Sequence, residues 1–258
     1  MNMKKISVLG HEGKLGSELV RLGCVPLCAD ITEPPDLREA IAVVNPDVII
    51  NCAAETDVDA CEELLQPTAN LVNSLGVANL RDAFHGRIIQ ISTDFVFNGR
   101  NGPYKENDIP FPISHYGSTK LDGEKYILNS FWPGTIIRTT ILYGKHGKKD
   151  FVSGILEALK GTKRIEVTTA LVGSPTYAPH LAEGIMYLLN SDRNLPSIVN
   201  ISGTDLLSRY DFALMIASVF GLDKEKLVPT SRVWGEARRP RKAGFVLTLA
   251  KRLGVPLY

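Results

Sequence analysis

The chain has no apolar run approaching the roughly 20 residues that a membrane-spanning helix needs, which argues against a membrane protein. The opening residues, Met1 to Lys5, lead straight into Ile6-Ser7-Val8-Leu9. That apolar stretch is too short for a signal-peptide core and no small-residue cleavage site follows, so the expected location is the cytoplasm. Excess charge of either sign is also missing. The formal net charge is +1 over 258 residues, which gives no general reason to bind nucleic acid or a membrane surface. Cysteine is scarce: Cys24, Cys28, Cys52 and Cys61 form no C-x-x-C pair and have no histidine at zinc-finger spacing. They read as reduced thiols, Cys52 as a small core residue, and no metal site is expected. Repeats, low-complexity tracts and Gly/Ser linkers are absent too, so tethered independent domains are not expected.

What is present is an ordinary globular composition, 44% hydrophobic and 22% charged. Short β-rich runs alternate with helical stretches through the first half, the pattern of βαβ units on a parallel sheet. Strands are expected over residues 5–9, 25–29, 48–52, 87–92 and 134–140, and helices over 14–22, 37–44, 70–84 and 116–130. The run Val48-Ile49-Ile50-Asn51-Cys52 is nearly all apolar, as in strands covered on both faces. In the second half, helices are expected over 151–159, 179–189 and 209–220, and a strand over 198–201. The expected fold is an α/β, Rossmann-type doubly wound sheet over residues 1–143. Residues 144–258 would mainly form a smaller substrate-binding lobe, with a stretch near 178–201 returning to the core.

Three local patterns carry chemistry. Strand 1 runs into Gly10-His11-Glu12-Gly13-Lys14-Leu15-Gly16, followed by a helix. Glycines so placed allow a tight turn, close approach of backbone to a pyrophosphate and close helix–strand packing, with the helix N-terminus facing the phosphates. Tyr116 and Lys120 stand at i and i+4 of a helix, on one face. A cation beside a phenol favours its ionised form, as proton transfer to a reduced ketone requires. A surface tyrosine one turn from a lysine is the plain alternative. Ser92-Thr93-Asp94 closes a buried strand at its carboxyl end, where ligands bind in open α/β sheets; a turn or cap would use the same residue types.

Glycine loop, strand-end Thr93 and Tyr116/Lys120, in this order, resemble an extended short-chain dehydrogenase/reductase. The strings from Asn51 to Glu62, Ser92 to Phe97, Tyr116 to Glu124, Arg138 to Gly144, Gly173 to Tyr177 and Ala237 to Pro240 narrow the resemblance to the dTDP-4-dehydrorhamnose reductase family, over nearly the whole chain. The resemblance implies NADPH- or NADH-dependent reduction of the C4 keto group of a 4-keto-6-deoxy sugar on a nucleotide diphosphate. Thr93, Tyr116 and Lys120 would be catalytic. Tyr116 would protonate the alkoxide, Lys120 would hold the cofactor ribose and lower the tyrosine pKa, and Thr93 would orient the keto oxygen. Cofactor contacts are implied at Gly10, Gly13, Lys14, Leu15, Gly16, Asp30, Ile31, Cys52, Ala53, Ala54, Thr56 and Asn73, together with Tyr116 and Lys120. Substrate contacts are implied at Thr93, Asp94, Phe95, Arg138, Tyr143, Tyr177, Arg238 and Arg239. For Arg138, a structural ion pair weighs equally. A homodimer is a further expectation.

Two positions depart from the family pattern. The acidic residue that selects NAD after strand 2 has no clear counterpart, since Asp30 in Asp30-Ile31-Thr32 resembles the adenine-side aspartate, so NADH and NADPH both stay open. His180 stands where relatives have aspartate. Phe95 in place of glutamate argues against a 4,6-dehydratase. A 4-epimerase and a non-catalytic nucleotide-binding partner, like the regulatory subunit of methionine adenosyltransferase, are the alternatives; the complete Thr93/Tyr116/Lys120 set favours the reductase.

Overall fold

A computed structural model describes residues 4–191 and 194–258. Its centre is a six-stranded, all-parallel sheet in the order β10-β5-β4-β3-β1-β2. The strands are β1 (Ile6–Leu9), β2 (Val25–Leu27), β3 (Val48–Asn51), β4 (Arg87–Thr93), β5 (Gly134–Thr139) and β10 (Ile198–Asn200). All four residues of β1 and of β3 are buried, as expected of strands covered on both faces.

Helices α1 (Lys14–Arg21) and α7 (Ala178–Asn190) pack together on one face, over a core that includes Val8, Leu19, Ile50, Ile89 and Leu181. The other face is covered by α2 (Pro34–Val44), α3 (Gln66–Asn70) continuing through a π-helical turn at Leu71–Leu75 into α4 (Gly76–Ala83), and α5 (His115–Leu128), around Leu9, Leu37, Ile49, Leu80 and Ile127. Strand β10 pairs with β5, so both α7 and β10 belong to the first layer system although they come late in the chain.

The rest forms a smaller lobe with its own core of Ile155, Leu159, Val167, Phe212 and Ile216. It is built on α6 (Phe151–Lys160) and α8 (Arg209–Val219), with the paired strands β7 (Ile165–Thr168) and β12 (Leu227–Thr230) and β8 (Val172–Gly173) and β11 (Leu207–Ser208). Strands β6 (Leu142–Tyr143) and β9 (Thr176–Tyr177) pair between the two parts, and α9 (Thr248–Leu253) closes the chain. None of the short strand pairs, nor α9, is visible as a periodic pattern; each is set by the partner segment. Among the described residues no helix is long and apolar enough to cross a membrane, and no group of His, Cys, Asp or Glu side chains could hold a metal ion. The four cysteines are free.

Candidate active site

The glycine loop sits at the carboxyl end of β1. Gly10 has φ +76°, a conformation that favours glycine, and a Cβ there would lie 2.6 Å from the Ala53 backbone nitrogen. A Cβ on Gly16 would collide with the Gly10 carbonyl oxygen. Gly13 differs. Its φ is −72° and an added Cβ would touch only the Gly10 oxygen, at 3.4 Å. The packing of the protein around Gly13 therefore leaves room for a side chain at that position. Gly13 is also the N-cap of α1, with no side-chain cap and no acidic residue in the first turn. The helix start therefore offers free amides and a positive dipole end to an anion. Leu15 is buried beneath it. Lys14 donates to the carbonyls of His146 (3.0 Å) and Lys148 and pairs with Asp150 at 3.3 Å, holding the 144–150 loop against the glycine loop.

Along the neighbouring strand ends, Cys52, Ala53 and Ala54 are half-buried and Thr56 is exposed. Asp30 is exposed, and its carboxylate accepts from the amide and hydroxyl of Thr32, which holds it below its ordinary pKa. The Ile31 side chain points into the core, leaving only its backbone for a ligand. Asn73 has a different task from the implied cofactor contact. Its amide is fully buried, accepts from Glu55 N at 2.9 Å, and donates to Glu55 O at 3.0 Å and Thr119 Oγ1 at 3.2 Å. Both amide protons are thereby engaged, and Asn73 fixes the loop after β3 against α5.

The catalytic candidates meet where β4 ends. Thr93 caps a short 3-10 turn, Asp94–Val96, accepting from Phe95 N at 3.2 Å. Helix α5 starts at the Ser114 cap and runs so close to that turn that a Cβ on Gly117 would strike the Phe95 carbonyl. This approach sets the Phe95 ring edge-on to Tyr116, with centroids 5.5 Å apart, and brings the buried phenol under the influence of the Thr93 side chain. Burial pushes the phenol pKa well above its ordinary value, and the Thr93 side chain opposes this. The sequence pattern pointed to Lys120 as the group that lowers the tyrosine pKa, and the structure revises this. The Lys120 ammonium is buried and drawn to the Ile91 carbonyl at 2.8 Å, and burial lowers its own pKa to about 8 against the raising effect of Glu124.

The implied substrate residues divide into separate groups. Asp94, Phe95 and Arg239 line a cleft of about 510 Å³, with Ile141, Phe151, Arg209 and Trp234 opposite. Asp94 is buried and accepts from the hydroxyls of Thr93 (3.2 Å) and Thr140; burial raises its pKa. Tyr143 and Tyr177 lie side by side on β6 and β9, centroids 5.4 Å apart, and line a second, smaller hollow of about 180 Å³. There His180 meets Tyr177 edge-on and stacks on Tyr258 at 3.8 Å. Arg138 is 1% exposed and held by Glu124 through two bonds of 2.9 and 2.6 Å, the structural ion pair rather than a substrate contact. Arg238 is exposed. Arg239 grips Asp59 with bonds of 3.0 and 2.6 Å.

Arg209, Trp234 and Ile141 are among the residues of the large cleft that sequence reading did not single out. Arg209 and Trp234 reach it only through the fold of the second lobe. Ile141 has φ +45°, a strained conformation for a β-branched residue and one with no sequence signal.

Comparison with known proteins follows this geometry. The RmlD substrate binding domain family matches residues 3–257. Spore coat polysaccharide biosynthesis protein SpsK of Bacillus subtilis is 34% identical over 95% of this chain and 89% of its own length. The dTDP-4-dehydrorhamnose reductase of Mycobacterium tuberculosis is 31% identical over 95% of this chain and 85% of its own. The crystal structure of a dTDP-4-dehydrorhamnose reductase from Bacillus anthracis in complex with NADP superposes with a TM-score of 0.91 at 29% identity, covering 99% of this chain and 95% of that one.

Proposed function

The chain belongs to the RmlD substrate binding domain family, and from that premise we propose that it reduces the C4 keto group of a dTDP-4-keto-6-deoxy sugar, at the expense of NADPH or NADH. Relatives named for that activity and for polysaccharide biosynthesis support an oxidoreductase serving deoxysugar and surface-polysaccharide synthesis. Residues 1–143 form the cofactor-binding core and residues 144–258 mainly the substrate lobe. The protein works in the cytoplasm, as a homodimer.

The observation that carries the reading is the placing of two buried side chains, Thr93 at the carboxyl end of β4 and Tyr116 on α5, with burial favouring the protonated phenol. When bound, the nicotinamide supplies a hydride to C4. The uncapped start of α1 and the bare backbone at Gly13 suit its pyrophosphate. As the carbonyl oxygen gains negative charge, Tyr116 gives it a proton, and a phenol with a raised pKa is still protonated when that moment comes. Thr93 orients the same oxygen through its hydroxyl. Lys120, whose ammonium donates to the Ile91 carbonyl of β4, would hold the cofactor ribose.

The test is to mix purified protein with a dTDP-4-keto-6-deoxy sugar and either reduced nicotinamide nucleotide, following loss of nicotinamide absorbance and identifying the sugar product. Reduction at C4 is the expected result. Tight cofactor binding without turnover would favour the nucleotide-binding partner protein instead.

A further inference from the structure

The cleft beside Asp94 carries several cations, and they are not equivalent. Arg239 is closed on Asp59 through both guanidinium nitrogens, and its NH1 also donates to the carbonyls of Trp234 and Ala237. Lys149, at the rim, pairs with Glu157 at 2.6 Å. Arg209 has no carboxylate within 4.0 Å among the described residues. Its guanidinium lies over the Phe151 ring, 4.9 Å from the centroid, which supports its flat face and leaves the edge donors unclaimed.

Two charged neighbours act on Arg209: the Asp94 carboxyl and the Arg239 guanidinium. Asp94 is a weak counter-ion, because its two oxygens already accept from Thr93 and Thr140 and burial favours its neutral form. Glu166 also lines the cleft but is exposed. Burial lowers the pKa of Arg209, yet a guanidinium keeps its charge in any protein. A half-buried guanidinium lining the same cleft as a second, Asp59-paired one, with no carboxylate of its own among the described residues, is an arrangement that an anion with several oxygens relieves.

We propose that Arg209 recognises the diphosphate of the nucleotide sugar, with Arg239 positioned beside it by Asp59. The inference rests on the reductase reading for the identity of its ligand. Arg209 and Asp94 line the same cleft, and Asp94 directly follows Thr93, so Arg209 shares that cleft with the proposed catalytic strand end. That is where the diphosphate on C1 of a sugar comes when its C4 is presented to Tyr116.

Calorimetric titration of the NADPH-loaded protein with dTDP, and separately with thymidine, tests this. In Arg209→Met the dTDP dissociation constant should rise roughly 10- to 100-fold, the scale of lost charge-assisted hydrogen bonds. Arg209→Lys keeps the charge without the fork and should fall between. Thymidine and NADPH affinities should not change, which also shows that the variants are folded. Equal dTDP affinity in wild type and Arg209→Met overturns the proposal, as does a parallel loss for thymidine. If dTDP binding depends on Arg209 while the wild type reduces no 4-keto sugar, the reductase reading fails and the diphosphate site stands. If turnover is present but dTDP affinity ignores Arg209, the reverse holds.

Discussion

Tyr116 and Lys120 share a helix face, yet their environments push them in opposite directions. Burial raises the phenol and lowers the ammonium. Tyr116→Phe keeps the ring and its packing against Phe95 while removing the proton. Turnover should fall by at least about 10²- to 10⁴-fold, the usual worth of general acid catalysis, with cofactor affinity by fluorescence titration unchanged. A variant retaining most of its kcat would mean that the proton comes from elsewhere. Lys120 leads to a second, less obvious outcome. Its folded-state pKa of about 8 lies below its ordinary 10.5, so below pH 8 the folded protein carries a buried charge that the unfolded chain carries in water. The penalty is complete below pH 8. It fades between pH 8 and 10.5, where the unfolded state binds more protons and stability rises with pH. Lys120→Met should therefore melt at a higher temperature than wild type at pH 7, with the difference shrinking towards pH 10, while turnover and cofactor affinity both drop. A lower melting temperature at pH 7 would show that the Ile91 bond outweighs desolvation.

The elements are joined by contacts whose cost can be separated from function. Helix α1 meets its loop so closely that Gly16→Ala forces a methyl onto the Gly10 carbonyl, and destabilisation of about 1–3 kcal/mol is expected from overpacking. Gly13→Val meets no such obstacle and should fold with a near-normal melting curve, yet lose cofactor affinity because the side chain stands where the pyrophosphate approaches. Unchanged affinity by calorimetry would remove the loop from the phosphate site. Helix α5 and strand β5 are coupled through Glu124 and Arg138, 0% and 2% exposed at their side chains. Arg138→Met leaves a carboxylate buried without its partner and should cost about 3–5 kcal/mol in denaturant unfolding, whereas replacing both residues with apolar ones of similar size should restore most of it. A mild single-variant effect would contradict the ion-pair role.

At the scale of the molecule, Asp59 and Arg239 are 180 positions apart and form one clasp between the loop after β3 and the segment that roofs the cleft. The bond to Arg239 holds the Asp59 carboxyl below its ordinary pKa. Asp59→Asn should loosen that roof and raise KM for the nucleotide sugar several-fold with little change in kcat, the mark of binding lost equally from ground and transition states. An unchanged KM would mean that the clasp is purely structural.

The strong local patterns were legible without coordinates. Apolar, β-branched runs announced the strands of the sheet, the glycine spacing announced the turn into α1, and Tyr116 and Lys120 announced a shared helix face. Each depends on residues within a few positions of one another, where backbone geometry alone sets the outcome. The partners of long side chains were not legible. Whether Arg138 faces substrate or Glu124, whether Asn73 meets cofactor or Glu55, and which cleft arginine has no carboxylate partner among the described residues depend on segments far apart in the chain. Tyr143 and Tyr177 carried the right aromatic character, but the pairing of β6 with β9 turned them to a different hollow from Asp94 and Phe95. Sequence by itself determined the sheet, the loop and the shared helix face of Tyr116 and Lys120, because period and spacing are local. Only the tertiary structure decided which charges neutralise each other and which one, Arg209, is left facing the cleft, because pairing and burial are properties of segments brought together by folding.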